Sequence, residues 1–266
     1  MRRPTDRAGI ACFWLFVAVV LVWMYVPYAT LFIYSLHDSL FFSFPIDPTL
    51  KWFEQMFTDS ELMRVLVYTL QKSLLAAVVS TAVAIPGALA YVRCKFRGDG
   101  LYKRLILLPI FFPQLVLGIA ILVFLHYLDR LPSTTSMILG ESVLLAPIAI
   151  LVISIQILGY SHEIELAGQD LGGGPWYVFR RITFPLIAPG VFTGFLFAFI
   201  LSWGNFYVDL YASSSQSTLP PWIYGHMQQG FSPVIPAVSV LSVTVSLVLF
   251  LVVTPLVYRK MRAVAR

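Results

Sequence analysis

Long stretches without a charged residue set the limits on what this 266-residue chain can fold into. Residues 8–36, 73–92, 105–128, 142–161 and 182–208 contain no Asp, Glu, Lys or Arg, and 210–258 form an uncharged run of 49. About 20 mostly apolar residues in a helix cross the hydrocarbon core of a bilayer. The last run is interrupted by the polar, proline-bearing stretch 213–221. The pattern predicts an all-α polytopic membrane protein with six spans, at about 10–35, 69–92, 104–127, 138–160, 189–211 and 235–258, in one transmembrane domain over 1–266. Composition agrees: 59% of the residues are hydrophobic and 12% charged, with a mean hydropathy of +0.83. Soluble domains average about 45–50% apolar and about 25% charged, so a soluble or disordered chain is excluded. The first run is too long for the apolar core of a cleaved signal peptide and reads as a retained helix. Cys12 and Cys94 are too few for a disulfide framework or a zinc site.

The net charge of +5 gains meaning once it is distributed. Lys and Arg concentrate in cytoplasmic loops because positive residues resist translocation. With six spans and an inside N-terminus, 14 of the 18 basic residues fall inside, among them Arg93, Lys95, Arg97, Lys103, Arg104, Arg180 and Arg181. Lys51, Arg64, Lys72 and Arg130 fall outside, together with eight of the acids, which gives +9 inside and −4 outside. The expectation is N-in and C-in, with basic loops meeting anionic headgroups rather than nucleic acid.

Three loops carry more than connectivity. In the first outside loop, Pro45 and Pro48 mark an irregular stretch. Trp52, Phe53, Met56 and Phe57 then follow at helical spacing, predicting a short amphipathic helix at the membrane surface. For the last outside loop two readings stand: Trp222, Tyr224 and Phe231 at headgroup level, or a partly re-entrant loop. The longest inside loop, 161–188, has the most structure of its own. Ser161 is a good N-cap and Glu163 and Glu165 suit a helix N-terminus. Ile164, Ala167, Gly168 and Leu171 share one face, with Asp170 beside them. Gly172, Gly173 and Gly174 end that helix and Pro175 starts the next, running through Trp176, Phe179 and Arg180. The small Ala167/Gly168 patch admits close approach of another protein surface.

This loop resembles the one with the Glu-Ala-Ala signature in permease subunits of ATP-binding-cassette (ABC) importers. That pattern runs Glu-Ala-Ala, three residues, Gly, nine residues, Ile-x-Leu-Pro. Ala167 and Gly168 stand at the two Ala positions, Gly172 at the Gly, Ile182 at the Ile, Phe184 at the Leu and Pro185 at the Pro. The Glu position holds Leu166, with Glu165 one residue earlier. Residues 49–57, Tyr68-Thr69-Leu70, 93–97, 219–224 and 231–233 look like the spermidine/putrescine-type permeases. The resemblance implies the type I importer permease fold in a bacterial inner membrane. It also implies a second permease, expected to be a different chain, and two cytoplasmic ATPase subunits that bind ATP and Mg. A periplasmic or lipid-anchored protein would deliver the solute. No cofactor is expected on this chain, which lacks a phosphate-binding loop. The coupling residues implied lie in 161–188: Glu163, Glu165, Leu166, Ala167, Gly168, Asp170, Leu171, Gly172, Arg180, Arg181 and Pro185.

For the solute, the resemblance makes a polyamine the first guess, with opines and phosphonates as alternatives. Polyamine permeases tend to carry acids in the outer half of span five, where this chain has Gly204 and Asn205. Asp209 lies further out, and two readings stand: an ionisable group facing the pathway, or one reaching the outer interface. Trp203, Asn205 and Tyr207 either line a path or pack between helices. The four histidines, at 37, 126, 162 and 226, stand apart and no hydrolase or metalloprotease motif occurs, so an enzyme is not expected. A self-sufficient secondary transporter or channel is the rival reading, although no internal repeat is evident.

Overall fold

The computed structural model describes residues 4–38, 48–213, 216–230 and 232–264. Pro45 and Phe231 lie outside these residues. All the long elements are helices. Those long and apolar enough to cross a membrane lie within α1 (Pro4–Ser35), α3 (Ser60–Arg93), α6 (Thr134–Leu158), Pro175–Trp203 and α12 (Val234–Val264), and a bent pair makes a sixth if it counts as one span. The described residues fall into two compact units, Met1–Met63 with Gly225–Val245 and Arg64–Tyr224 with Ser246–Arg266.

In the first unit, α1 turns almost all its apolar side chains outward, including Trp14, Trp23 and Phe32, as a helix bathed in lipid or covered by another chain must. The following segment pairs His37 with Pro48. The expected amphipathic helix is present as α2 (Lys51–Thr58). Met56 is fully buried, Trp52 and Phe53 are half-buried, and Trp52 Nε1 donates to the His37 carbonyl at 2.7 Å. Phe57, assigned to the same apolar face, is exposed.

In the second unit, the third expected span, 104–127, is not one helix. It is α4 (Asp99–Leu105), a 3-10 turn (Leu108–Phe111) and α5 (Gln114–Tyr127), bent by 103°. The cause is Pro113, which has no N–H to give and forces Phe112 into extended backbone at φ −77°, ψ 134°. The span α6 is the most buried, with Ser133 capping it through the Ser136 N–H at 3.2 Å. It packs along the rod that begins at Pro175: α8 (Pro175–Val178), a π-helical turn (Phe179–Thr183) and α9 (Phe184–Trp203). Gly190 and Gly194 make this contact possible, because a Cβ on Gly190 would stand 2.5 Å from Gln156 Cβ. Ala84, Ala88, Ala149, Ile150, Ile153, Ile157 and Ile187 fill the core between α3, α6 and α9.

Two boundaries differ from the sequence reading. The second helix of loop 161–188 does not end in a loop; it continues without a break into span five. Span five in turn stops at Trp203, and residues 204–206 lead into a separate short helix, α10 (Tyr207–Ala212). The C-terminal end of the unit's loop is the start of α11 (Leu219–Gln229), where Trp222 is buried in the protein and Tyr224 is exposed.

Candidate functional site

The loop after α6 forms α7 (Glu163–Asp170), one residue later than its expected cap. Ser161 Oγ still accepts the Glu163 N–H at 3.3 Å. The glycines then divide the work. Gly172 adopts φ +85°, a left-handed conformation that ends the helix. Gly173 approaches so closely that a Cβ would lie 2.6 Å from the Gly168 carbonyl. Gly168 itself faces inward, where a Cβ would overlap Ile182 Cδ1. The patch assigned to another protein surface therefore serves, at Gly168, to seat α7 on the following helix. Ala167 remains exposed.

Glu165 also points inward. Only 7% of it is exposed, and its carboxylate accepts the Tyr160 hydroxyl, meets His162 Nδ1 at 3.0 Å and lies 3.8 Å from Arg93 Nε. Arg93 donates to the Ile157 and Tyr160 carbonyls at 3.2 and 3.4 Å and stacks on the Tyr160 ring at 4.8 Å. Burial, and then the hydrogen bond to Glu165, hold the Tyr160 hydroxyl above its ordinary pKa. This network ties α7 to the ends of α3 and α6. The opposite side of α7 is free of it: Glu163, Ile164, Leu166, Ala167, Asp170 and Leu171 are exposed, as are Gly172, Arg180, Arg181 and Pro185.

A second polar site lies inside the helix bundle, and the sequence reading did not assemble it. Lys72 on α3, Glu141 on α6 and Asp209 on α10 are all completely buried. Lys72 Nζ donates to Glu141 Oε1 at 2.9 Å and to Asp209 Oδ1 and Oδ2 at 2.9 and 2.7 Å, and it approaches the Ser202 carbonyl and hydroxyl at 3.2 and 3.4 Å. Ser202 Oγ donates to Glu141 Oε2 at 2.5 Å, and Thr218 Oγ1 donates to Asp209 Oδ2 at 2.6 Å. Lys72 and Glu141, counted above as outside charges, are therefore interior groups. The signal was available: each of the three falls within a predicted span and the signs are opposite, which is how buried charges in a membrane are tolerated.

The four residues suggested for a solute path have structural partners. Trp203 is buried and stacks on Phe199 with ring centres 6.1 Å apart. Asn205 is buried and its side-chain oxygen accepts the Val208 N–H at 3.1 Å, capping α10. Tyr207 is half-buried, its ring against Phe206. Asp209 presents no open oxygen, being closed off by Lys72 and Thr218. Among the described residues, no group of three His, Cys, Asp or Glu is placed to hold a metal ion.

Residues 61–263 match the family described as the binding-protein-dependent transport system inner membrane component. The chain belongs to that family. It is the permease subunit of an ABC importer of type I, an all-α multi-pass inner-membrane component. The permease is 24% identical over 235 residues to the spermidine/putrescine transport system permease protein PotC of Escherichia coli (strain K12), covering 88% of this chain and 89% of PotC. It is 33% identical over 162 residues to the molybdenum transport system permease protein ModB of the same strain, covering 56% of this chain and 70% of ModB. In fold it is similar to a chain of a bacterial ABC transporter that imports the acidic polysaccharide alginate, with a TM-score of 0.76, 16% identity, and coverage of 96% and 98%.

Proposed function

We propose that this permease works with a second permease chain, two ATP-hydrolysing subunits and an external solute-binding protein, and that α7 is where the ATPase force enters. One observation carries this reading: α7 is fixed to the bundle on one side by Glu165 and Gly168, and on the other offers exposed Ile164, Leu166, Ala167 and Leu171. A short helix seated rigidly on the membrane helices, with an apolar face left over, is suited to receive a push and pass it on. The orientation that fits is N-in and C-in, with α7 on the cytoplasmic side and ATP and Mg on the partner subunits.

The solute is a small polar molecule, and polyamines are the class to test first, because PotC is a spermidine/putrescine permease. Polyamines are cations, however, and this chain offers them little. Gly204 and Asn205 replace the expected acids, and Asp209 is already neutralised by Lys72. If a polyamine is carried, its charge is met by the partner permease or the binding protein. The test is reconstitution of the co-purified complex into vesicles, with uptake of labelled putrescine and spermidine in the presence and absence of ATP. ATP-dependent uptake that Ala167→Trp abolishes, with the variant still inserted, is the expected result. Uptake that proceeds equally without ATP would sink the reading in favour of a self-sufficient transporter.

A further inference from the structure

We propose that Lys72 is a positioning residue whose ammonium group fills an alkylammonium-shaped cage and thereby holds α10 closed on the break in span five. The cage is made of oxygens from three separate elements. Glu141 Oε1 comes from α6, the Ser202 carbonyl and hydroxyl from the last turn of α9, and both Asp209 oxygens from α10, all within 3.4 Å of Nζ. An ammonium has three hydrogens and no acceptor, so it is the group that such an all-acceptor shell satisfies. The last carbonyls of a helix lack intrahelical partners, which leaves the Ser202 carbonyl available to it.

α10 depends on this cage more than any other element does. It has six residues, well below the length at which a helix is stable by itself. Its link to α9 is the non-helical stretch 204–206. Its apolar hold is one cluster, in which Val208 and Ala212 join Leu117, Met137 and Leu144, with Tyr68, Ile121 and Ile148 packed against it. It lies directly on α5, where a Cβ at Gly118 would come within 2.8 Å of the Tyr207 carbonyl. The chain beyond it is tied to the same face of α3, through the Leu219 N–H to Thr69 Oγ1 at 2.8 Å. Removing Lys72 leaves two buried carboxylates facing each other with no cation between them. The cost of breaking a buried ion pair is comparable with what burial of the α10 side chains supplies, so α10 opens far more often than the rest of the unit. The core around Ala149 is a separate cluster and is not touched by the change.

The experiment needs neither solute nor partner, so its outcome is separate from that of the transport reading. In the full-length chain carrying Cys12→Ser and Cys94→Ser, a reporter cysteine replaces fully buried Ala212 on α10 or fully buried Ala149 on α6. Labelling by a water-soluble maleimide is timed in mild detergent. With Lys72 present, both reporters are protected. With Lys72→Ala, the reporter at 212 labels at least about tenfold faster while that at 149 is unchanged, as expected of local opening. Propylammonium, which supplies the three carbons and the nitrogen removed by Lys72→Ala, restores protection at 212, and propanol does not. Asp209→Asn, which keeps Lys72 paired with Glu141, gives the same selective labelling without rescue. Protection of 212 in both variants, labelling of 149 together with 212, or equal effects of propylammonium and propanol would each overturn the proposal.

Discussion

A lysine buried as completely as Lys72 is tolerated in a membrane only with its counter-charges in place, because a lone charge at the centre of a membrane helix costs about 2.5–3.5 kcal/mol even on insertion-based scales. Here the two carboxylates are not equivalent. Asp209 gives both oxygens to Lys72, whereas Glu141 gives one and takes the Ser202 hydroxyl with the other. Glu141→Gln keeps the volume and an acceptor oxygen for Lys72, and it leaves one cation facing one carboxylate. The expected loss is about 1–3 kcal/mol, the range for disturbing a buried hydrogen bond to a charged group, well short of a broken pair. Thermal unfolding in detergent should therefore place Glu141→Gln between the parent and Asp209→Asn. If Glu141→Gln unfolds earlier than Asp209→Asn, the division of roles is wrong. At this scale Asp209 was legible from the sequence as an ionisable residue inside a span. Its partners were not recognised, because all three residues sit within a few positions of predicted span ends and the sequence does not show which ends meet. There a charge reads equally well as a loop residue, and only packing separates the two.

Among the elements, five of the six expected apolar spans are single long helices, legible because hydropathy acts on a length scale that the bilayer itself sets. What was not legible was continuity. Pro113 breaks a span that hydropathy alone runs straight through, and the break at 204–206 detaches α10 for lack of helical backbone there. Pro175 and the wide turn over Phe179–Thr183, by contrast, do not interrupt the rod that carries loop 161–188 into the bundle. The glycine turn and the start at Pro175 were read correctly, since positive φ and the first helical position each select one residue type. The direction of Glu165 was not, because an eight-residue helix has no strong periodicity to say which side faces the bundle. Glu165→Ala tests the anchoring. It leaves Arg93 and the Tyr160 hydroxyl without their carboxylate, at a cost of about 1–3 kcal/mol. Because α7 is short, the loss falls on α7 itself. Amide exchange over residues 163–170 should accelerate while α3 and α6 remain protected. Unchanged exchange in α7 would show that Gly168 packing holds it without the ionic network.

Over the whole molecule, moving three charges into the bundle changes the basis of the topology argument without reversing it. With Lys72, Glu141 and Asp209 removed from the count, the outside segments hold three basic residues, Lys51, Arg64 and Arg130, against six acids, Asp38, Asp47, Glu54, Asp59, Glu61 and Asp129. On the proposed N-in topology the outside would carry −3, the buried cluster −1 and the inside +9, so the imbalance on which that proposal rests is retained. The broken third span matters here as well. It restores an even number of crossings only if α4, the 3-10 turn and α5 together traverse the bilayer, whereas a re-entrant pair would leave five and put the two ends on opposite sides. Cys94 decides between them when compared with the far end of the chain. It is exposed just beyond α3, on the side that the +9 assigns to the cytoplasm. An impermeant maleimide added to right-side-out vesicles should leave Cys94 unlabelled and should label it in inside-out vesicles. A cysteine placed after Arg266, in a chain carrying Cys12→Ser and Cys94→Ser, should behave in the same way if the bent pair is a full crossing. Opposite behaviour of the two positions would mean that residues 99–127 enter and leave on one face; α7 would then lie across the membrane from Cys94, against its contact with Arg93, and its pairing with a cytoplasmic ATPase would fall.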